Sequence, residues 1–498
     1  MNPFLPLNEY IPDGEAHVFG DRVYLYGSHD KALSDRFCAE DYTVWSAPVD
    51  DLSKWENYGV SYSKSQDPRS KDGKLVDYYA PDCVKGNDGC YYLYYVAMGP
   101  NTRNFGPISV AVSSVPSGPF EYLGDIRYPS GESVLKFLNN DPTVLNDNGR
   151  IWLYYGWGLG RDFRSKLFSP IYNKVLSAIS IRSLAEVKAT KPSILSCAVV
   201  ELESDMLTVK NEPKAVLDSK TTALKESQLY NHPFYEAPSI RKIGKLYYLV
   251  YSSGENNELC YATSDKPDCG FKYGGVIISN SDLGYKGNLK AKAPAGTIHG
   301  CIECINGQWY VFYHRCTNNT DFSRQACVEK IEISPDGEII QVEVTSLGFS
   351  DFLPAKKTLP AAYCCNLILS KAVKMGVGKA QTLPRVTEDS HLEGLDGKSC
   401  FVADIIDNTI IGYKYFSFTS LKSFGLEYKG QGTGKIEVML TENGPVICTF
   451  EITPSFEWKT VYYSGLNING EQALYLKYKG KGKIDLKSLD FGESLVEG

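Results

Sequence analysis

Four carboxylates and one imidazole recur at nearly the same place in five similar stretches of this 498-residue chain. Each stretch carries a glycine turn. Asp13 lies seven residues before Gly20, Asp82 seven before Gly89, Asp141 eight before Gly149, Glu236 eight before Gly244 and His299 eight before Gly307. A single acid at a strand end reads as a solvated surface group, but five polar residues in phase read as a ring. Acids crowded into one semi-enclosed cavity repel one another, so at least one keeps its proton near neutrality. An ionised carboxylate beside a protonated one is the equipment for glycoside hydrolysis: one takes a proton from water and the other protonates the leaving oxygen. A channel wide enough to seat that water predicts inversion at the anomeric carbon.

The elements that must position the ring are hairpins. HVFGDRVYLYGS, VKGNDGCYYLYYVA, VLNDNGRIWLYYGW, IRKIGKLYYLVYSS and ECINGQWYVFYHR each have a tight glycine turn followed by a strand dense in Tyr, Trp, Val and Leu. Glycine supplies the positive φ such turns require, and the strands are too short, aromatic and β-branched to make good helices. Five units of this kind over about 300 residues predict the blades of a five-bladed β-propeller, with the first strand of each blade lining a central channel. Unrelated hairpins in a sandwich would not share the phase of the polar residues.

The longest gap runs from Asp141 to Glu236 and contains RDFRSKLFSPIYNKVLS and KPSILSCAVVELESDML. It reads as extra loops and strands at the propeller mouth, with a helical turn near 183–187, and loops of this kind shape pockets. PAKKTLPAAYCCNLILS reads as including another short helical turn. Beyond about residue 370 the chain becomes Gly/Lys/Thr-rich, and about seven short alternating strands, TIIGYKYFSF through KIDLKSLDF, predict an antiparallel β-sandwich. The expected all-β organisation is a propeller over 1–345, a connecting segment over 346–369 and a jelly-roll-like sandwich over 370–498.

Composition excludes several function classes. Lys+Arg 52 against Asp+Glu 59 gives a net charge of −7, which disfavours a phosphate backbone as partner. A 43% hydrophobic content supports large cores rather than disorder. No run of eighteen apolar residues suits a membrane span. Thirty-five tyrosines against five methionines favour β architecture and a polar ligand with a flat apolar face. MNPFLPLNEYIPDGE lacks the features of a secretory leader, and fourteen scattered cysteines suit a reducing compartment, so the expected location is cytoplasmic.

The motifs IPDGEAHVFGDRVYLYGSHD, YYAPDCVKGNDGCYYLYYVA, NNDPTVLNDNGRIWLYYGWG, FYEAPSIRKIGKLYYLVYSS and HGCIECINGQWYVFYHR followed by FSRQACVE resemble glycoside hydrolase family 43. The resemblance covers the first two-thirds of the chain. It implies a five-bladed propeller and an inverting enzyme acting on arabinose- or xylose-containing glycans. It assigns Asp13 as general base, Glu236 as general acid and Asp141 as the residue that orients the acid and tunes its pKa. It implies substrate-binding roles for Asp82, Tyr79, Trp157, His299 and Arg324, with Arg324 contacting both sugar and carboxylates. It places His299 in the central channel close to an ion or water, requires no cofactor for catalysis and leaves room for a structural calcium. FYEAPSI departs from the pattern of many members by carrying Ala237 where they carry glycine. The C-terminal part is similar to carbohydrate-binding modules of family 6. The expected activity is an exo-acting α-L-arabinofuranosidase or β-xylosidase whose partner is an oligosaccharide or glycan side chain. The competing readings are a non-catalytic glycan-binding propeller and a propeller glycosidase of other sugar specificity. Cys301 and Cys304 lie near His299 and His314, but cysteines three apart on a strand face opposite ways, which argues against zinc.

Overall fold

The computed structural model describes residues 1–99, 106–158, 170, 174, 177, 195–255, 257–369, 383–389 and 400–491. The helical turn expected near 183–187, and most of the insert around it, lie outside the described residues.

Five antiparallel sheets form in chain order. Blade one runs Glu15–Phe19, Arg22–Tyr26, Tyr42–Pro48 and Glu56–Tyr62; blade two begins at Asp77–Lys85, blade three at Thr143–Asp147, blade four at Phe234–Ile243 and blade five at Ile302–Ile305. CAVVEL, read within the insert, is the third strand of blade three, Cys197–Leu202. The blades close into a ring because every neighbouring pair shares a core. Tyr26, Tyr42 and Tyr62 of blade one meet Leu93 and Tyr95 of blade two. Tyr94 and Val96 meet Leu153 and Tyr155, Tyr154 and Val199 meet Leu249 and Tyr251, and Val250 and Tyr261 meet Val311 and Tyr313. Phe312 and Val328 then return to Val23 and Leu25. Successive strand residues point to opposite faces, so Trp152 and Tyr154 pack toward blade four while Leu153 and Tyr155 pack toward blade two. Strands buried on both faces read as unbroken aromatic runs, as these do.

This packing uses most of the tyrosine. Among the described residues the twelve largest fully buried side chains are all tyrosines, ten of them in the inter-blade cores and two, Tyr413 and Tyr428, in the C-terminal domain. Their hydroxyls reach loop groups at the rim: Tyr26 donates to Pro116 O (2.7 Å), Tyr94 to Met206 O (2.9 Å) and Tyr95 to Asp67 Oδ2 (2.8 Å). The tyrosine count therefore reports inter-blade packing more than ligand platforms.

Blade five has three strands of its own, and the N-terminus completes it. Phe4 N–H donates to Ala326 O (3.2 Å). The Asn2 amide donates to Val328 O (2.8 Å) and accepts from Val328 N–H (2.9 Å), imitating a strand's backbone.

The C-terminal part is built on two long strands, Ile410–Gly430 and Ser455–Lys481, of 21 and 27 residues. Each was read in the sequence as two short strands. Register shifts near Phe416, Leu421 and Ser423 bend the first, so its early half pairs with Asn366–Ile368 and its late half with Ile484–Asp490. The halves belong to two faces that enclose one core including Phe416, Phe424, Leu426 and Leu476. The expected helical turn appears as a 3₁₀ turn at Ala361–Tyr363. Strands Thr358–Pro360 and Asn366–Ile368 join this sheet from within the stretch read as a connector, and Leu359 is fully buried there.

Asn2→Ala is expected to leave buried Val328 backbone groups unpaired. At about 1–3 kcal/mol, this should lower the thermal midpoint by about 1–4 °C, measured by calorimetry.

Candidate active site

The ring is set by strand register. In blades one, three and five, Asp13, Asp141 and His299 each stand six residues before the last paired residue of the inner strand: Phe19, Asp147 and Ile305. In blade four one extra residue bulges between Glu236 and Ser239, so Glu236 stands opposite Ser252, six past Leu246. Blade two has the same bulge. Its ladder extends to Gly86, whose N–H donates to Cys90 O (2.7 Å), and Tyr79 stands opposite Val96, six past Cys90. The fifth ring position is therefore Tyr79, not Asp82. The glycine count misplaced Asp82 because Gly89 closes a longer turn than the other four.

Asp82 belongs to a different layer. It lies one pleat further along, level with Glu15, Thr143, Ser239 and Cys301. Its Oδ1 accepts from Cys83 N–H (2.7 Å) and lies 2.6 Å from His17 Nε2; its Oδ2 accepts from the Thr143 hydroxyl (2.8 Å) and Val144 N–H (2.7 Å). With no exposed surface and its hydrogen-bond partners in blades one to three, it ties blades together one layer away from the Asp13 cluster, and only its charge reaches His299. Arg241 does similar work beside it, bonding Glu15 Oε2 (3.0 Å) and Glu303 Oε2 (3.1 Å).

In the pocket, Arg324 is the central group. Its Nε and Nη2 grip Asp30 in a two-pronged bond (2.8 and 3.0 Å), and its Nη1 donates to Asp13 Oδ1 (2.7 Å). Burial alone would push the Asp13 carboxyl up, but Arg324, with His299 and His314, holds it below its ordinary value. His299 Nδ1 lies between Asp13 (3.7 Å) and Asp141 (3.9 Å). Burial lowers the His299 pKa to about 4 and the His314 pKa to about 3, so both rings are neutral at pH 7. His314 Nε2 lies 2.9 Å from Thr297 O and its Nδ1 accepts from Asp13 N–H (3.3 Å), which puts its proton on Nε2.

The opposite side of the pocket retains protons. Burial first, then Glu236 and Asp13, push Asp141 well above the carboxylate range. Burial, then Asp13, raises Glu236 to about 7, with Asp321 adding to the rise. Asp141 Oδ2 accepts from Ala237 N–H (3.1 Å), directly after Glu236 in the chain. Asp13, Asp141 and Ala237 are left-handed, at φ 57°, 45° and 60°. Ala237 thus occupies a conformation that suits glycine, at a strain of about 1–2 kcal/mol.

Trp157 hydrogen-bonds Glu236, and its ring lies 6.1 Å from Tyr235. Tyr79 lies against Phe37 (6.4 Å), which packs edge-on to Phe322 (4.7 Å) and under the Arg324 guanidinium (4.9 Å). Of the residues singled out in the sequence, the structure thus gathers Asp13, Asp141, Glu236, His299, Arg324, Trp157 and Tyr79, and sets Asp82 apart. Asp30, Phe37, Asp321 and Phe322 were missed. Asp30 and Phe322 stood inside quoted motifs, and the one available signal was nearness in sequence to Tyr26 or Arg324.

Calcium takes six to eight oxygen ligands. The His299 ring meets only Asp13, already on Arg324, and Asp141, already on Ala237 N–H, so these residues do not fit a calcium shell. Among the described residues, Glu15–His17–Asp82 and His232–Glu258–Cys260 bring possible metal ligands within 4.8 Å of one another. Each group is already bonded internally, through His17–Asp82 and His232–Glu258 at 2.6 Å.

A family model described as glycosyl hydrolases family 43 matches residues 1–196. A Thermoclostridium stercorarium protein named xylosidase/arabinosidase is 41% identical over 503 residues, covering 98% of this chain and 98% of its own. A xylosidase/arabinosidase of Bacteroides ovatus is 29% identical, covering 68% of this chain and 97% of its own. A solved beta-xylosidase structure, RS223, aligns with a TM-score of 0.50 at 26% identity over 68% of this chain and 96% of that one.

Asp82→Ala should strand its partners in a dry layer and destabilise the fold by about 3–5 kcal/mol in urea titration. Asp141→Ala removes a side chain that already carries its proton and leaves only the buried Ala237 N–H without its partner, so it should cost less, about 1–3 kcal/mol.

Proposed function

The chain belongs to glycoside hydrolase family 43, and from that premise we propose that it is an exo-acting, inverting enzyme that releases arabinose or xylose from oligosaccharides or glycan side chains. The observation that carries the proposal is the divided protonation of one pocket: Asp13 is held ionised by Arg324, while Asp141 and Glu236 hold protons. A propeller that only binds glycan has no use for that division. The relatives named xylosidase/arabinosidase support the choice of pentose. Burial of Asp13, Asp141 and His299 supports a closed pocket for one terminal sugar. Fourteen cysteines, none in a disulfide, support work in a reducing compartment.

In this reading Asp13 takes a proton from the attacking water as that water adds to the anomeric carbon. Glu236 gives its proton to the departing oxygen. The two act on opposite faces of the sugar, which inverts the anomeric centre. Asp141 holds the Ala237 N–H, and so the Glu236 backbone, in place. His299, neutral, offers a polar contact between Asp13 and Asp141. Trp157, Tyr79, Phe37 and Phe322 supply apolar walls for a sugar face. Arg324 orients Asp13 and keeps it charged.

The contrast between two variants tests the assignment. A sugar alkoxide leaves only with a proton, so Glu236→Ala should lose about 10²–10⁴-fold on xylo- or arabino-oligosaccharides. It should lose far less on a nitrophenyl pentoside, whose leaving group departs unaided. Asp13→Ala should fail equally on both, because no water is activated. Equal damage to both substrates by a folded Glu236→Ala enzyme would remove Glu236 as the acid. Proton NMR of the first-formed sugar should show the inverted anomer.

Asp141 keeps its proton where Glu236 titrates, so Asp141→Asn removes no charge there and should leave the upper limb of the pH–rate profile in place, near 7, while the changed bond to Ala237 lowers kcat. A limb moved to lower pH would show that Asp141 is ionised beside the acid.

A further inference from the structure

The loop that ends in Arg324 is not held by the propeller alone. Residues 317–323 close on themselves, since the Thr317 N–H and hydroxyl both donate to Ser323 O (2.8 and 2.9 Å). At the crest, Asn318 and Asn319 are both left-handed, at φ 56° and 51°, and both buried. Two successive residues in that region are uncommon even for asparagine, and such a crest persists where the surroundings over-determine it.

Those surroundings belong to the C-terminal sandwich. Asn318 N–H donates to Val386 O (2.8 Å), and the Thr387 hydroxyl donates to Asn318 Oδ1 (2.6 Å). The Asn319 amide donates to Leu383 O (3.1 Å). Arg315, on the strand leading into the loop, donates to Ala362 O and Cys364 O (2.7 and 2.8 Å). On its inner side the loop delivers Asp321, which accepts from Thr297 N–H (3.3 Å), Phe322 against Phe37, and then Arg324 on Asp13 and Asp30. A short chain of buried polar bonds thus runs from the strand Arg385–Glu388 to the groups that set the pocket's charge.

We propose that Thr387 is a positioning residue of the glycosidase pocket, acting through Asn318 on the loop that carries Asp321, Phe322 and Arg324. The proposal rests on the reading of Asp13 and Glu236 as base and acid. It makes the C-terminal sandwich part of the catalytic unit, where its likeness to binding modules suggests a separable glycan anchor. Valine at 387 would keep the shape of threonine while removing the only side-chain donor to Asn318 Oδ1 among the described hydrogen bonds. A buried carbonyl left without its donor turns or draws in water, and the left-handed crest relaxes with it.

The test compares full-length Thr387→Val, Thr387→Ser and Tyr428→Phe. The last removes a buried hydroxyl that bonds Thr453 within the same sandwich, away from the loop. Two readouts are taken: kcat and KM on xylo- and arabino-oligosaccharides, and amide hydrogen exchange over 317–324. Thr387→Val should lower kcat about tenfold, a loss of the size a small misplacement of reacting groups produces. KM should change by less than about threefold, since the walls Trp157 and Tyr79 lie off the loop. Exchange over 317–324 should rise about tenfold. Thr387→Ser should restore both, and Tyr428→Phe should change neither, whatever its effect on thermal midpoint. Unchanged exchange over 317–324 in Thr387→Val, or equal loss of kcat in Tyr428→Phe, would overturn the proposal. A wild-type enzyme inactive on every pentoside would instead defeat the functional reading, and the exchange measurement would still decide whether Thr387 holds the loop.

Discussion

One buried guanidinium organises the pocket. Arg324 is the cation set among Asp13, Asp30, Asp141, Glu236 and Asp321, and its bonds go to two of them. A single positive charge cannot keep five buried carboxyls ionised, so protons must fill the remainder. Geometry decides which groups take them. Asp13, 2.7 Å from Nη1, loses its proton readily. Asp141 and Glu236, raised first by burial and then by the charge of Asp13, keep theirs. An acid and a base thus arise in one cavity from the position of one side chain.

The propeller supplies the symmetry that makes such a position available. Five inter-blade cores fix five inner strands around one axis, and equivalent strand starts fall on one ring. Blades one, three and four place carboxylates there, blade five an imidazole and blade two a phenol. The left-handed backbones at Asp13, Asp141 and Ala237 turn these side chains inward at a cost that the surrounding ladders absorb. Arg324 itself follows a loop whose outer side leans on the second domain.

Much of this was legible in the sequence because β-hairpins advertise themselves. Glycine turns and aromatic strands gave the five blades, and the phase of Asp13, Asp141, Glu236 and His299 gave the ring. The same counting misplaced Asp82, since a longer turn shifts the glycine relative to the ladder and sequence does not display the bulge at Ala80. The two long sandwich strands were read as four because bulges near Leu421 and the glycine-containing bends break the alternation of side chains. Asp30, Phe37, Asp321 and Phe322 lie on loops, where no period exists to single them out. Their place is fixed only when Arg324 folds over Asp30 and Phe37.

The central claim, that one pocket holds an ionised Asp13 beside a protonated Glu236, is tested most directly by carboxyl ¹³C titration, assigning each group by difference against Asp13→Asn and Glu236→Gln. Glu236 should titrate near 7 and Asp13 below the ordinary aspartate value. Both groups titrating together in the ordinary carboxylate range, near 4, would contradict it.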